Sequence, residues 1–260
     1  MLNFMGHFFS GAAGRCCVVA AFLVSLASCA TVPSSSTDMV FKPVYETGVR
    51  HDMYHVIGPA ETVYRIGRMY DVSTDAILKA NGISDPRGLK VGQRILVPGA
   101  APLRPVIPLF RSGKWRYIVV HHSVTDEGDA TSLDRIHRRR GFDRGLGYHF
   151  VIDHGSGTRR DGQIEASPRW VKQMDGAHCR AGGMNDCGIG ICVVGDFTRE
   201  QPTRAQMDSL VLLVNTLREY YHIPVSRVIR HKDAPGARTE CPGNSFPWQE
   251  FKRRLKRGMP

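Results

Sequence analysis

A chain of 260 residues has room for one or two domains, and its 42% hydrophobic and 23% charged composition excludes a disordered or fibrous protein. Lys and Arg outnumber Asp and Glu by 35 to 24, a net charge of +11, which favours polyanionic partners without choosing among nucleic acid, anionic lipid and cell-wall polymer. The basic runs Arg138-Arg139-Arg140, Arg159-Arg160 and Lys252-Arg253-Arg254 come with no nucleic-acid-binding module, so no nucleic-acid partner is expected.

Residues 1–28 follow the plan of a secretory signal: the charge of Arg15, an apolar run from Cys16 to Ala27, then small residues. The run is too short for a membrane span, which takes about 20 apolar residues. Leu26-Ala27-Ser28-Cys29 resembles the bacterial lipoprotein box. The resemblance implies cleavage before Cys29 and lipidation of its thiol, hence an exported, periplasm-facing protein anchored to a membrane. Ala30 after it points to the outer membrane. Residues 29–53, with Ser34-Ser35-Ser36-Thr37, read as a tether. Cys16 and Cys17 leave with the signal, so Cys179, Cys187, Cys192 and Cys241 remain for an oxidising compartment. There a thiol is buried, bridged or metal-bound.

Residues 54–98 predict strand, helix, helix, strand. Tyr54-His55-Val56 and Gly92 to Pro98 are the strands, Thr62 to Tyr70 repeats apolar residues at helical spacing, and a second helix from Thr74 stops at Asn81-Gly82. With Tyr54-x-Val56, Asn81-Gly82-Ile83, Gly92-Gln93 and Val97-Pro98, the segment resembles a LysM domain, a βααβ module that binds N-acetylglucosamine-containing glycans. Pro59-Ala60-Glu61 stand where the family usually has Gly-Asp-Thr. Residues 99–114, with Pro102, Pro105 and Pro108, read as a stiff connector.

Residues 115–257 alternate strands with helices. Tyr117 to His122, Gly147 to Asp153, Ile189 to Gly195 and Arg227 to His231 read as strands. Ser132 to Arg138 reads as a helix, and another starts at Thr203 with Gln206 completing a capping box and Leu210, Leu213, Val214, Leu217 and Tyr221 on one stripe. Pro247 opens a last helix to Lys256. The pattern predicts an α/β (mixed α+β) fold, a central mixed sheet flanked by helices.

Two histidines end the first of these strands, and period-two geometry sends His121 and His122 to opposite faces. His231 closes another strand, and the loop after it, with Pro235 and Gly236, can bring Cys241 back. Two imidazoles and a thiol are ligands zinc prefers, with a fourth position left for water.

His121-His122-Ser123, Gly147-Tyr148-His149-Phe150, Asp161-Gly162, Ala177-His178, Asn185, Ile189-Gly190-Ile191, Gly195 and His231-Lys232-Asp233 through Cys241-Pro242-Gly243 occur in the order found in type 2 N-acetylmuramoyl-L-alanine amidases. The chain resembles that family, which includes phage and bacterial amidases and animal peptidoglycan recognition proteins, from about Trp115 to Leu255. The resemblance implies one zinc ion per chain held by His121, His231 and Cys241. It implies Tyr148 and Thr239 as catalytic residues, with His178, Asn185 and Arg238 in the substrate groove. His122 is then structural. Cys192 replaces a Glu that assists proton transfer in some members, and Thr239 stands where many have Lys, which leaves the division of work between Thr239 and Arg238 open. The implied reaction is hydrolysis of the amide between the lactyl group of N-acetylmuramic acid and L-alanine. The zinc-activated water attacks, the oxyanion is stabilised, and either Tyr148 or a water supplies the proton. Peptidoglycan or muropeptides are the expected partners, and the chain is expected to be a monomer. The alternative is a non-catalytic peptidoglycan-binding lipoprotein. Cys192 reads as a buried thiol, and Cys179 and Cys187 as a pair that a loop could bridge.

Overall fold

The computed structural model describes residues 38–41, 48–156 and 159–256. The expected signal segment and Cys29 lie outside them. A short strand, β1 (Asp38–Phe41), comes first, followed by β2 (His51–Val56). Parts of the expected tether are therefore strand.

The βααβ module forms as its sequence predicts. Thr62 caps α1 (Val63–Tyr70) by accepting the Arg65 N–H, and Ser73 caps α2 (Thr74–Ala80) by accepting that of Ala76. Beyond α2, the side-chain amide of Asn81 donates to Leu96 O and its oxygen accepts the Leu96 N–H, at 2.7 and 2.8 Å. That exchange ties the helix end to β3 (Arg94–Ala100), which pairs antiparallel with β2. Ile66, Ile77, Ile95 and Val97 fill the core between helices and hairpin.

The proline-rich stretch is not a free connector. Within it β4 (Val106–Leu109) pairs antiparallel with β1, Met39 opposite Pro108. Because β1 is its single strand partner among the described residues, Pro108 can occupy β4 without costing a ladder bond. Strand alternation then divides the side chains. Val106 joins the βααβ core, whereas Ile107 and Leu109 join the core of the following module. Trp170 Nε1 donates to Pro108 O at 2.7 Å, and Tyr221 Oη to Phe110 O at 2.7 Å. Prolines alone suggest stiffness; the interleaved Val, Ile and Leu decide that the segment is buried on both sides.

The second module holds β5 (Tyr117–His122), α3 (Ala130–Arg139), β6 (Phe150–His154), β7 (Asp161–Ala166), α4 (Pro168–Val171), α5 (Met184–Cys187), β8 (Gly188–Val193), α6 (Arg204–Tyr221), β9 (Val228–Arg230) and α7 (Trp248–Lys256). Its five-stranded sheet runs β7-β6-β8-β5-β9. β6, β8, β5 and β9 are mutually parallel, and β7 joins β6 antiparallel. The expected mixed sheet is present; β7, α4 and α5 were not foreseen, being short or polar.

Alternation along the strands gives the sheet two different faces. On one, Ile118, Val120, Phe150, Ile152, Ile191 and Val193 pack with Leu210, Leu213, Val214 and Leu217 of α6 and Phe251 and Leu255 of α7. Each such side chain contributes about 1.5–3 kcal/mol through burial. Thr203 and Gln206 make the expected capping box at the start of α6. On the other face Val151 and Cys192 meet Ala130 and Leu133 of α3. His121 stands on this second face, beside Cys192 in register.

Candidate metal centre

His121 and His122 point to opposite sides of β5. His122 lies on the α6 side, where its Nδ1 accepts the Phe197 N–H at 3.2 Å and its ring stacks on Phe197. β9 lies beside β5, Val120 opposite Arg230, so His231, in the turn just after β9, reaches the same end of the sheet as His121. The loop beyond then folds back. Lys232 N–H donates to Cys241 O at 3.0 Å, Cys241 N–H donates to Thr239 Oγ1 at 3.1 Å, and the Lys232 ammonium holds Glu240 and Asn244 at 3.1 and 2.7 Å.

His121, His231 and Cys241 consequently converge, one donor atom from each lying within 4.8 Å of the others. His121 Nδ1 is 3.7 Å from Cys241 Sγ. A tetrahedral site with zinc–nitrogen and zinc–sulfur bonds of about 2.0 and 2.3 Å has a nitrogen–sulfur edge of about 3.5 Å. The residues present fit the ion.

The hydrogen bonds behind His121 determine which nitrogen faces that site. Gly188 O can only accept, so His178 Nε2, 3.1 Å away, carries a proton and donates it. Burial pushes the His178 pKa well below its usual value, followed by the effect of His149, so the ring is neutral and its Nδ1 is an acceptor. His121 Nε2, 3.0 Å from that Nδ1, is accordingly the donor, and His121 Nδ1 keeps its lone pair toward Cys241. Burial, then the neighbouring His178 and His231, lower the His121 pKa strongly; burial lowers that of His231. Both imidazoles are neutral, as metal ligands must be. Cys241 is pushed up to about 12, chiefly by burial, although the His122 N–H donates to its sulfur at 3.5 Å. A thiol so placed ionises when a cation sits beside it.

The remaining expected site residues divide into two groups. Tyr148 lies at the metal site, its ring 5.2 Å from that of His121. Burial, then the nearby Cys192 and Cys241 thiols, raise the pKa of its hydroxyl well above the usual value. Thr239 is half-buried, with its oxygen accepting from the ligand Cys241 and its hydroxyl proton left to donate, whereas Arg238 is exposed. His178 and Asn185 are half-buried and both make hydrogen bonds within the chain. Both nitrogens of His178 belong to the relay just described, and Asn185 Oδ1 accepts the His178 and Cys179 N–H groups, each at 2.8 Å. Cys192 is fully buried, as expected. The Cys179–Cys187 bridge is not made. Both thiols are free and bond to the carbonyls of Ala181 and Gly183, because the tight turns around Gly182 and Gly183 hold each sulfur against its own local backbone.

The family model of N-acetylmuramoyl-L-alanine amidase matches residues 111–244, just over half of the chain. The chain belongs to this family. The LysM domain model matches residues 55–98. Peptidoglycan-recognition protein 2 of Holotrichia diomphalia is 28% identical over 135 residues, 46% of this chain and 67% of that protein. Among solved structures, the N-acetylmuramoyl-L-alanine amidase LysC from Clostridium intestinale is 37% identical, covering 56% of this chain and 89% of the other with a TM-score of 0.46. Peptidoglycan recognition protein-LE, solved with tracheal cytotoxin, is 23% identical, covering 54% and 80% with a TM-score of 0.43.

In this amidase-family chain the work of His178 was missed from sequence, although Gly190 carries a signal for it. A glycine inside an apolar strand marks a close approach, and a Cβ on Gly190 would lie 2.3 Å from His178 Cδ2. The ring rests where β8 has no side chain. His149 supports the same layer: its Nδ1 accepts the Gly190 N–H at 2.9 Å and its Nε2 bonds Met174 O at 3.0 Å.

Proposed function

We propose that this protein is a zinc-dependent N-acetylmuramoyl-L-alanine amidase, hydrolysing the amide between the lactyl group of N-acetylmuramic acid and L-alanine in peptidoglycan or its fragments. The observation that carries this reading is the convergence of His121 Nδ1, His231 and Cys241 on one point, with the relay through His178 fixing the tautomer of the first. A protein that only holds glycan has no need of three converging metal donors, one of them with its tautomer fixed.

A zinc ion at this point supplies Lewis acidity, polarising the amide carbonyl and bringing the pKa of a water to about 7. The chain's own residues do the rest. Tyr148, its hydroxyl kept protonated by burial, enters as a hydrogen-bond donor to the oxygen that becomes negative. Thr239 holds Cys241 through its oxygen and turns its hydroxyl proton outward to the same oxygen; such donors act only as charge develops there. Arg238, exposed beside it, serves the anionic groups of the substrate. His178 and Asn185 are positioning residues, one orienting His121 and the other the turn that carries His178.

The LysM module ties the protein to N-acetylglucosamine-containing glycan, and the lipoprotein-box resemblance at Cys29 supports an exported protein anchored to the outer membrane and facing the periplasm; we propose that it acts as a monomer. The test is mass spectrometry of purified muropeptides incubated with the protein, with and without a chelator. Peptides with a free L-alanine amino end, released only with metal, are expected. Intact muropeptides that nonetheless bind would establish the non-catalytic reading instead.

A further inference from the structure

A group of charges is buried between the LysM module and the sheet. Arg159, on the approach to β7, has a side chain 1% exposed and Glu165 of β7 one 4% exposed, with 2.8 Å between Nη2 and Oε2. The other end of the same guanidinium donates from Nη1 to Val56 O at 3.0 Å, the last residue of β2 in the LysM module. Gly58 faces this contact: a Cβ there would lie 2.5 Å from Arg159 Nη2, 3.0 Å from Glu165 Oε2 and 3.2 Å from Glu61 Oε2. Only a residue without a side chain lets the guanidinium in.

Both partners are prepared for it. In the LysM module Glu61 accepts the Gly58 N–H at 2.6 Å and bonds His55 Nε2 at 2.7 Å, while His55 Nδ1 meets Tyr70 Oη at 3.0 Å. Burial alone would raise Glu61, but His55 and the Arg159 and Arg65 charges hold it at about 2. In the sheet, Glu165 Oε1 accepts the Ala130 N–H at 2.7 Å, and Asp153, fully buried and raised well above its usual pKa by burial and by Glu165, keeps its proton. Burying a guanidinium costs several kcal/mol unless its partners are in place. Here they come from two modules.

The modules also share β4, with Val106 in one core and Ile107 and Leu109 in the other. A single shared strand is an axis, and beside it a cavity of about 160 Å³ opens between Met69, Leu103 and Arg104 on one side and Arg160, Gly162 and Ser209 on the other. Arg159, next to Arg160 at the rim of that cavity, adds a polar attachment between the modules to the one made by the shared strand.

We infer that Arg159 is a positioning residue that locks the LysM module against the catalytic module in one orientation, so that the enzyme acts on polymeric glycan strands long enough to reach both sites. The substrate class rests on the proposed amidase reading; the lock does not. With both sites rigidly spaced, a strand that spans them binds with an effective concentration far above that of a free fragment, and a shorter strand gains nothing. The dependence of KM on strand length is then a step, not a slope.

The test uses the full chain and a double variant, Arg159→Met with Glu165→Gln, which removes both charges so that neither is left buried alone; the amide oxygen introduced on β7 can still accept the Ala130 N–H. Hydrogen exchange of residues 56–62 and 159–165 is expected to accelerate in the variant while β4 stays protected. Turnover of a single disaccharide-peptide is expected unchanged, and KM for long peptidoglycan strands to rise about tenfold or more at constant kcat. The lock is overturned if exchange is unchanged, or if single-unit and long-strand turnover fall together. Should neither protein release peptide, the amidase reading fails and co-sedimentation with strands of graded length, together with exchange, still decides the lock: equal affinity for all lengths in the wild type overturns it.

Discussion

Replacing His178 with Ala probes the relay most directly. His121 is 1% exposed, so removing its acceptor leaves the Nε2–H buried without a partner, a cost of about 1–3 kcal/mol. The ring can avoid that cost by moving its proton to Nδ1, but Nδ1 is then lost as a ligand atom. Either outcome weakens metal binding, and groups that orient a ligand histidine typically account for about 10- to 100-fold in affinity. The measurement is zinc affinity at neutral pH by competition with a chromophoric chelator, on folded protein verified by circular dichroism. His178→Gln, whose amide can accept from His121 and donate to Gly188 O, is expected to recover part of the loss. If His178→Ala binds zinc within twofold of the wild type while His121→Ala does not bind it, the orientation argument is wrong.

Cys241→Ala should cost zinc stoichiometry and peptide release together, read by metal analysis and by the muropeptide assay, since it removes the one anionic ligand of the three. Gly190→Ala should lower both Tm and zinc affinity, because its Cβ would lie 2.3 Å from the His178 ring; overpacking of this kind costs about 1–3 kcal/mol, and an unchanged affinity would separate Gly190 from the relay. Asp153→Asn addresses pH. An unfolded carboxyl titrates near 4, and that of Asp153 is raised well above its usual value in the fold. The stability it contributes is therefore complete below about pH 4 and is lost as pH rises through the folded pKa. Thermal melts of the wild type should show that decline and those of Asp153→Asn a smaller one; parallel curves would place the buried proton elsewhere.

Much of the site could be read in advance because metal ligation constrains residue type and strand position together. His121 and His122 had to face opposite ways, and His231 was expected at the end of another strand, for local reasons of period and β-branched composition; that this strand, β9, lies beside β5 came from the fold. The helix at Thr203 was equally legible, since its cap and its apolar stripe are both written within one segment. The roles of His178 and Asn185 were not. A histidine near a site can meet a substrate or a neighbouring ring with the same local sequence, and the distinction rests on Gly188 O and on the space above Gly190, which come from β8. Likewise Cys179 and Cys187 are close in sequence, yet two glycine turns bind each thiol to its own backbone.

Local sequence therefore determined most of the longer strands and helices and their caps, because each depends on side-chain chemistry and spacing over a few residues, whereas the set of three metal donors came from the resemblance to the amidase family. Only the tertiary structure decided that the proline-rich stretch is a strand shared by two cores and that Arg159 reaches the carbonyl of Val56. It also decided which nitrogen of His121 is free. Those features depend on groups brought together from distant parts of the chain, where burial removes water as the alternative partner and makes each remaining contact obligatory.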